Sequence, residues 1–588
     1  MASHIARTTA FILLLTGAAA ADGLSSERPG EKEQSMQVLV ADSLTKVFRE
    51  PEEVEGSLVE GPVRIRAARH ERESFQVVVL AGDEPLKGVE VSISELTREG
   101  GSFSIPPARV RINPVGYVET QRPVYDVERV GWWPDPLLPP VPVEVEAGRR
   151  QPFWVTVHVP ESAPAGHYRG VVRVSADHGA AEVPVELTVW GFALAPTPPL
   201  PSAIAIYSHP LARFYGEDDL PEKTLHSYWD MLFAHRLSSD DLGDAIPQGI
   251  GAVIDGRTTG PFDYSDFDAR LKYCFARGLT AFQAARLPGF QDEGPDLTVE
   301  EQERLVSYLS DLAGHFEQRG WRERAFAFVW DEPRDRRARE VLTELQVIHG
   351  AQPGLRSRLD GPVTGPLVEM CEDEVDVWGM HIRSIAEGGP EAEANVARWR
   401  EKGNAIWMYV ACDTQHPYPN IFIDYPLIDC RVLPWIYWHY DIECFLYWSA
   451  NWFGEENMRG AGPAEKWPQR PWVSGNFVEN WGGKKNVYNG DGQLIYPGPG
   501  GTALSSIRLE ALRDGLEDYE YLWLLREGVR MLEAAGVEAE LCAEAQSWLE
   551  QQSVVTSFRE WCQSPDELRR TRDELGAMVE RVHEAALH

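Results

Sequence analysis

Two adjacent carboxylates, Asp331 and Glu332, are the residues of this sequence best suited to acid–base chemistry. They follow the apolar, aromatic run 325–330, which contains no glycine and therefore predicts a buried strand. Pro333 ends that strand because it has no N–H, and the polar residues from Arg334 onward predict a helix. Strand, carboxylates, loop and helix is the order in which a β/α unit presents catalytic groups. Neighbouring residues of a strand point to opposite sides, so the two carboxylates can have different functions. The same residues also fit a solvated loop in which an Asp caps the helix.

The chain beyond residue 202 alternates predicted strands with predicted helices. Eight strands are predicted, at 203–207, 237–242, 279–284, 325–330, 356–359, 375–381, 405–411 and 444–449. Helical patterns between them include 221–236, 264–277, 299–319, 335–349 and 391–402. Eight strands with intervening helices over about 250 residues predict a (β/α)8 barrel of the TIM type, within a domain spanning 202–530. The second and fifth strands are weak and are inferred partly from the architecture. The loops after the strands would then form the active site around Asp331 and Glu332.

Other predicted strand ends carry side chains suited to binding sugars. Aromatic rings stack on the C–H faces of sugar rings, while Asp, Asn, Arg and His bind hydroxyl groups. The candidate substrate-binding residues are Trp378, His381, Arg383, Tyr409, Trp448, Asn451 and Trp452. Trp467, Trp472 and Trp481 in the following loop extend the aromatic set. We expect half or more of these aromatic residues to pack in the core or in loops.

The regions on either side of the barrel have different patterns. Short alternating strands with turn signals between them predict an antiparallel β-sandwich over 36–195, and the proline-rich run 195–201 predicts a stiff linker. A long amphipathic helix is predicted at about 505–533, and two more complete a carboxyl-terminal helical tail over 531–588. The glycine-rich segment 490–501 is not a phosphate loop, because no Gly-Lys-Ser/Thr follows it.

Composition excludes some partners. The 588 residues include 91 acidic and 56 basic side chains, and the net charge of −35 repels nucleic acid and anionic membranes. A hydrophobic content of 43% is ordinary for a globular protein. The seven cysteines contain no C-x-x-C pair, and no dinucleotide-binding fingerprint follows a predicted strand. No cluster of His, Cys, Asp and Glu residues has the spacing of metal ligands. We therefore predict neither a cofactor nor a metal, while the oligomeric state stays open.

The amino terminus has the pattern of a secretory signal. Arg7 supplies the positive charge, 10–15 is the apolar core, and the alanines at 18–21 offer cleavage sites. The apolar run is too short to span a bilayer as a helix, and no other run reaches 18 apolar residues. We expect a signal peptide at 1–21 and a mature chain that is secreted or periplasmic, without membrane insertion.

Several motifs resemble glycoside hydrolase family 123 and its many uncharacterised relatives. They are Trp-Asp-Glu-Pro at 330–333, Asp-Gly-Gln-Leu-Ile-Tyr-Pro-Gly at 491–498, Ser-Ile-Arg-Leu-Glu-Ala-Leu-Arg-Asp-Gly-Leu-Glu-Asp-Tyr-Glu-Tyr at 506–521, and the sandwich stretches 152–157 and 163–168. The resemblance covers nearly the whole mature chain. It implies a β-sandwich, a (β/α)8 barrel with an Asp-Glu pair, and a carboxyl-terminal region.

The resemblance also implies an activity, that of a retaining exo-β-N-acetylgalactosaminidase acting on a glycan that contains N-acetylhexosamine. Asp331 would orient the 2-acetamido group of the substrate, whose oxygen attacks the anomeric carbon. Glu332 would protonate the leaving oxygen and then deprotonate the attacking water. Two alternatives remain open at this point. One is a glycosidase of other specificity with a conventional nucleophile, Asp413 or Asp441, and the other is a non-catalytic glycan-binding surface protein.

Overall fold

The computed structural model describes residues 36–51, 57–217, 220–242, 249–452, 476–481 and 484–587. The predicted signal segment 1–21 and the predicted loop residues Trp467 and Trp472 lie outside this part of the chain. For Trp481 the backbone is described and the side chain is not.

Two β-sheets pack face to face in the amino-terminal region. Its strands are β1 (Met36–Asp42), β2 (Val63–Arg69), β3 (Arg72–Ala81), β4 (Leu86–Ile93), β5 (Leu96–Arg98), β6 (Ser104–Ile105), β7 (Val110–Glu119), β8 (Trp132–Leu137), β9 (Val143–Val145), β10 (Arg150–His158), β11 (Gly166–Ala176) and β12 (Gly179–Ala193). One sheet has the order β1-β3-β10-β7-β8 and the other has β2-β12-β11-β4-β9. Alternate residues such as Val77 and Val185 fill the shared core. The pairing is antiparallel as predicted, except that β2 runs parallel to β12.

A curled parallel sheet forms the centre of the molecule. Its strands are β13 (Ser202–Ile204), β14 (Phe282–Phe290), β15 (Ala325–Asp331), β16 (Arg356–Gly361), β17 (Val377–His381), β18 (Ala405–Tyr409) and β19 (Cys444–Tyr447), in the order β13-β19-β18-β17-β16-β15-β14. The helices are α1 (Ser208–Tyr215), α2 (Glu222–Ala234), α3 (Ile250–Ile254), α4 (Ser265–Phe275), α5 (Val299–Arg319), α6 (Ala338–Gly350), α7 (Pro366–Cys371), α8 (Ile382–Glu387), α9 (Gly389–Lys402) and α10 (Leu427–His439). The carboxyl ends of the strands therefore lie together at one end of the curled sheet, which forms its mouth.

The complete eight-stranded barrel that the sequence predicts is not confirmed. The predicted second strand, 237–242, lies between β13 and β14, where it joins Ile206 through a single parallel bridge at Leu242. The hydroxyl of Ser238 donates to Ser202 O, at 2.9 Å, and that of Ser239 donates to Asp241 O, at 2.5 Å. The Ser239 bond spans only two positions, and such local side-chain bonds compete with a strand ladder. The described strands therefore form a seven-stranded half-barrel.

The carboxyl-terminal part adds two short strand pairs and three helices in the described residues. The strands are β20 (Asn476–Trp481), β21 (Lys484–Asn489), β22 (Tyr496–Pro497) and β23 (Ala503–Leu504), and the helices are α11 (Ile507–Ala535), α12 (Ala539–Gln551) and α13 (Pro565–Ala586). The Ser506 hydroxyl accepts from Leu509 N and caps α11, and Gly536, at φ 69°, ends it in the left-handed conformation. None of the described helices is long and apolar enough to cross a membrane.

Candidate active site

Packing around Trp330 determines the direction of Asp331. Trp330 is fully buried on the outer face of β15. A Cβ on Gly289 would lie 2.1 Å from its ring and one on Gly294 would lie 2.2 Å away, so these two glycines provide the space for the indole. Side chains alternate along a strand, and Asp331 therefore points inward at the mouth.

Asp331 is held in a partly buried position with one basic neighbour. Its Oδ2 lies 3.4 Å from Nη2 of Arg286 on β14, and its side chain is 29% exposed. Burial and, after it, the carboxylate of Asp360 raise the pKa of Asp331 to about 7, although Arg286 acts in the opposite direction. Asp331 is therefore a carboxyl group that can gain or lose its proton near neutral pH.

A buried charged layer lies next to Asp331. Asp360 on β16 is the register partner of Asp331 and, on its other side, of Gly379 on β17. A Cβ at Gly379 would lie 1.8 Å from Oδ1 of Asp360, so a glycine is needed there to make room for the carboxylate. Arg358 donates from Nε to Asp360 Oδ1 at 2.8 Å and from Nη1 to Asp240 Oδ2 at 3.1 Å. One guanidinium is thus shared between two carboxylates, and Asp360 remains an acidic neighbour of Asp331.

Glu332 points across the mouth, away from Asp331. Its φ of 49° is in the left-handed region, which is costly for a residue with a side chain and occurs at functional sites. Its N–H donates to Asp360 O at 2.9 Å, and its Oε1 accepts from the Tyr409 hydroxyl at 2.8 Å. Tyr409 lies on β18, three strands from β15. The two carboxylates diverge as strand alternation predicts, although the left-handed turn at Glu332 is the direct cause.

Tyr409 is almost fully buried, and this burial raises the pKa of its hydroxyl well above its usual value, with the Glu332 carboxylate adding to the effect. The phenol therefore keeps its proton and acts as a donor. Its bond to Oε1 fixes the orientation of the Glu332 carboxyl group and leaves Oε2 for a substrate.

His381, Arg383 and Asp413 form a polar group beyond Tyr409. The His381 ring centroid lies 5.2 Å from that of Tyr409. The Arg383 N–H donates to His381 Nδ1 at 3.3 Å, so in the neutral ring Nε2 carries the proton, facing Thr414 Oγ1 at 2.7 Å and Asp413 Oδ1 at 2.9 Å. Both ring nitrogens therefore have protein partners. Arg383 also donates to the backbone oxygen of Asp413, at 2.9 Å.

An aromatic cluster lines the mouth at the ends of β13 and β19. The Trp452 ring centroid lies 5.6 Å from Trp448, 5.8 Å from Tyr207 and 5.4 Å from His209. Trp448 is half-buried, and its Nε1 donates to Asp491 Oδ2 at 3.1 Å. Burial raises the pKa of the Tyr207 hydroxyl above its usual value, and the charges of Arg286 and Asp331 also act on it.

The structure contradicts three of the sequence-based candidates. Trp378 is 1% exposed and stacks on Trp399 on the outer face of the sheet, with ring centroids 3.9 Å apart, so it cannot contact a sugar. Asn451 is fully buried, and its amide bonds to both backbone groups of Tyr207, at 2.9 and 2.7 Å. Asp441 precedes β19 and therefore lies at the opposite end of the sheet.

Three residues at the mouth were missed by the sequence-based reasoning. Asp360 and Tyr207 each stand at the end of a predicted strand, the same signal that identified Asp331, but these strands were weak or short. Arg286 follows an alanine pair inside β14, and no sequence signal marks it as a neighbour of Asp331. Within the described part of the chain, no group of three or more His, Cys, Asp or Glu residues could hold a metal ion.

Comparisons with known proteins identify the class. The model of the glycoside hydrolase 123 catalytic domain matches residues 298–525, which include the Asp331–Glu332 pair, and that of the glycoside hydrolase 123 N-terminal domain matches 45–176. Together the two models cover more than half of the chain. The fold and the mouth are thus those of a glycoside hydrolase. The chain belongs to the family 123-like glycoside hydrolases.

One solved structure agrees with the fold. A family 123 glycoside hydrolase from Clostridium perfringens, studied for its glycolipid glycan hydrolysis, is 15% identical, with a TM-score of 0.65 over 94% of this chain and 98% of that chain. β-Glucuronidase 3 of Bacteroides uniformis is 10% identical over 78% of this chain and 50% of that chain, with a TM-score of only 0.25. No curated protein sequence matches the chain.

Proposed function

We propose that this protein is an exported, retaining exo-β-N-acetylgalactosaminidase that uses the 2-acetamido group of its substrate as the nucleophile. The observation that carries the proposal is the divergence of the pair. Asp331 stays beside Arg286 on the β14 side, while Glu332 reaches Tyr409 on the β18 side. One carboxylate can thus lie below a sugar ring while the other approaches the glycosidic oxygen.

Asp331 accepts a hydrogen bond from the N–H of the acetamido group in this mechanism. As the acetamido oxygen attacks the anomeric carbon, positive charge develops on the amide and its N–H becomes more acidic. Burial has raised the pKa of Asp331 to about 7, which makes its ionised form a stronger acceptor than an exposed aspartate. The bond therefore strengthens in the transition state, and that gain is what accelerates the reaction.

Glu332 is the general acid and then the general base. Tyr409 holds one carboxyl oxygen, so the other can give its proton to the leaving oxygen and later take a proton from water. Substrate-assisted glycosidases are exceptions to the usual spacing of two carboxylates, so an adjacent pair agrees with this chemistry. Asp413, the conventional nucleophile considered from the sequence, is already bonded to His381 and Arg383.

Hydrolysis of a panel of aryl β-glycosides tests the proposal. We expect turnover of the N-acetyl-β-galactosaminide, slower turnover of the gluco epimer, and negligible turnover of the plain galactoside. The Asp331→Asn variant serves as the control for contaminating activity. Efficient hydrolysis of the galactoside, or inactivity on every N-acetylhexosaminide, would overturn it.

A further inference from the structure

Phe290 is exposed at the rim of the mouth. It is the last residue of β14 and is 48% exposed. In the part of the chain whose side chains are described, no other phenylalanine, tyrosine or tryptophan is exposed. Single exposed apolar residues are common on protein surfaces, so exposure alone would mean little. Its position beside the catalytic pair gives it significance.

The register of β14 and β15 fixes the direction of Phe290. Gly289 pairs with Trp330, and the space above Gly289 is filled by the Trp330 ring, so this pair faces outward. The next pair, Phe290 and Asp331, therefore faces the mouth. Neighbouring strands lie about 5 Å apart, so Phe290 and Asp331 leave adjacent strands side by side on the same face of the sheet.

The turn 290–294 is firmly attached to the segment that carries the catalytic pair. The N–H and C=O of Phe290 both bond to Glu293, at 2.7 Å each, and the Gln291 N–H donates to Asp331 O at 2.7 Å. Arg337 donates to Gly294 O at 2.8 Å. Asp292 forms ion pairs with Arg334 and Arg336, at 3.1 and 2.5 Å. A turn held in this way loses little backbone entropy when a ligand stacks on its aromatic residue.

We propose that Phe290 is the platform of a subsite for the sugar on the leaving-group side of the cleaved bond. This inference rests on the proposed function and adds a substrate preference to it. The terminal N-acetylhexosamine needs polar partners around its hydroxyl and acetamido groups, so it lies deep in the mouth. A ring on the rim contacts the part of the substrate that projects outward. The apolar face of a hexose in the leaving group provides the complementary surface.

Two substrates with different leaving groups test the subsite. One is an N-acetyl-β-galactosaminyl fluoride, whose leaving group contains no sugar, and the other is an N-acetylgalactosaminyl-β-galactose disaccharide. We expect Phe290→Ala to lower the ratio of kcat/KM for the disaccharide to that for the fluoride by about tenfold, the order of magnitude of one lost stacking contact. Phe290→Trp should keep the ratio, because it retains a flat face. Met370→Ala removes an exposed apolar side chain from α7 and is the matched control.

The outcomes separate the two proposals. An unchanged ratio in Phe290→Ala would overturn the subsite while wild-type activity on both substrates upholds the proposed function. A fall in the ratio that Phe290→Trp fails to prevent would also overturn a stacking role. Wild-type inactivity on both substrates would refute the proposed function, and the subsite with it.

Discussion

The mouth of the half-barrel and the interface that helix α11 forms with β8 and α10 both bury carboxylates, but the surroundings of these carboxylates differ. In the interface, Arg508 donates to both oxygens of Asp135, at 3.0 and 2.8 Å, and Arg431 does the same to Asp518, at 2.8 and 2.9 Å. At the mouth, Asp331 has one guanidinium at 3.4 Å, with the acidic Asp360 as its register partner. Bidentate pairing balances the charges of Asp135 and Asp518, whereas Asp331 keeps an incompletely balanced charge.

A raised pKa alone does not distinguish the two regions. Burial also raises the pKa of Glu517 on α11, although Arg513 opposes it. The difference is access, since the Glu517 side chain is 1% exposed and that of Asp331 is 29% exposed. A carboxyl group that titrates near neutrality can exchange a proton with a substrate only where the substrate can reach it.

The largest effects should come from replacing the two carboxylates to which we assign catalysis, Asp331 and Glu332. We expect Glu332→Gln to lower kcat/KM by about 10²–10⁴-fold on substrates with poor leaving groups, and far less on activated aryl glycosides, which need little protonation. Asp331→Asn should be damaging on every substrate, because the nucleophile is then no longer oriented. Steady-state kinetics on both substrate types measure this, with Glu300→Gln on α5, whose carboxylate is 82% exposed, as the control. Equal losses for Glu332→Gln on the two types would remove it from the acid role.

A large effect on stability should follow from removing an arginine from the buried ion pairs of the α11 interface. Arg508→Met leaves Asp135 buried without its bidentate partner and should lower the free energy of unfolding by about 3–5 kcal/mol. Arg64→Met removes an ion pair whose arginine is 72% exposed and should cost about 0–1 kcal/mol. Urea denaturation compares the two variants. Equal costs would show that the interface charges act like surface charges.

An effect of intermediate size is expected on the pH dependence of stability and of activity. The pKa of Asp331, about 7 in the folded protein, lies above the value of about 3.9 in an unfolded chain. Its contribution to stability is therefore complete below about pH 4 and is lost as the pH rises through 7. Activity has the opposite dependence, because catalysis needs the ionised form, so kcat/KM should rise with pH through about 7.

The rise of kcat/KM with pH is the acidic limb of the pH–rate profile. Asp360→Asn should move this limb toward lower pH, because it removes the acidic neighbour that raises the Asp331 pKa. A pH–rate profile measures the limb, and a thermal melt confirms folding. Asp373→Asn, which changes a carboxylate that is 86% exposed, is the matched control. If the acidic limb stays in place or moves to higher pH, Asp360 does not raise the pKa of Asp331.

The smallest effect is expected from chelation. No step of the proposed mechanism uses a metal, so activity should survive EDTA. An assay before and after treatment checks this, and a loss that a divalent ion restores would contradict the mechanism.

Local patterns in the sequence were enough to place Asp331 and Glu332 at the end of a strand, because an apolar run, two carboxylates and a proline define a strand end without help from distant residues. Contacts between strands could not be predicted in this way. Whether Trp378 faces the sugar or the helices depends on a one-residue register, and the structure places it outward. Asn451 bonds to Tyr207, 244 positions away, which no local pattern reveals. The predicted second strand pairs through a single bridge, and its Ser239 hydroxyl bonds to Asp241 O two positions away, which competes with a strand ladder.

Inhibitor chemistry tests the central claim, that the acetamido group of the substrate is the nucleophile. A thiazoline mimics the cyclic intermediate and should inhibit by pairing with Asp331, whereas a 2-fluoro sugar should leave no covalent adduct in an intact-mass measurement. The same preparation should turn over the plain galactoside negligibly. A covalent adduct on Asp413 or on any other carboxylate, or efficient hydrolysis of the plain galactoside, would contradict the account.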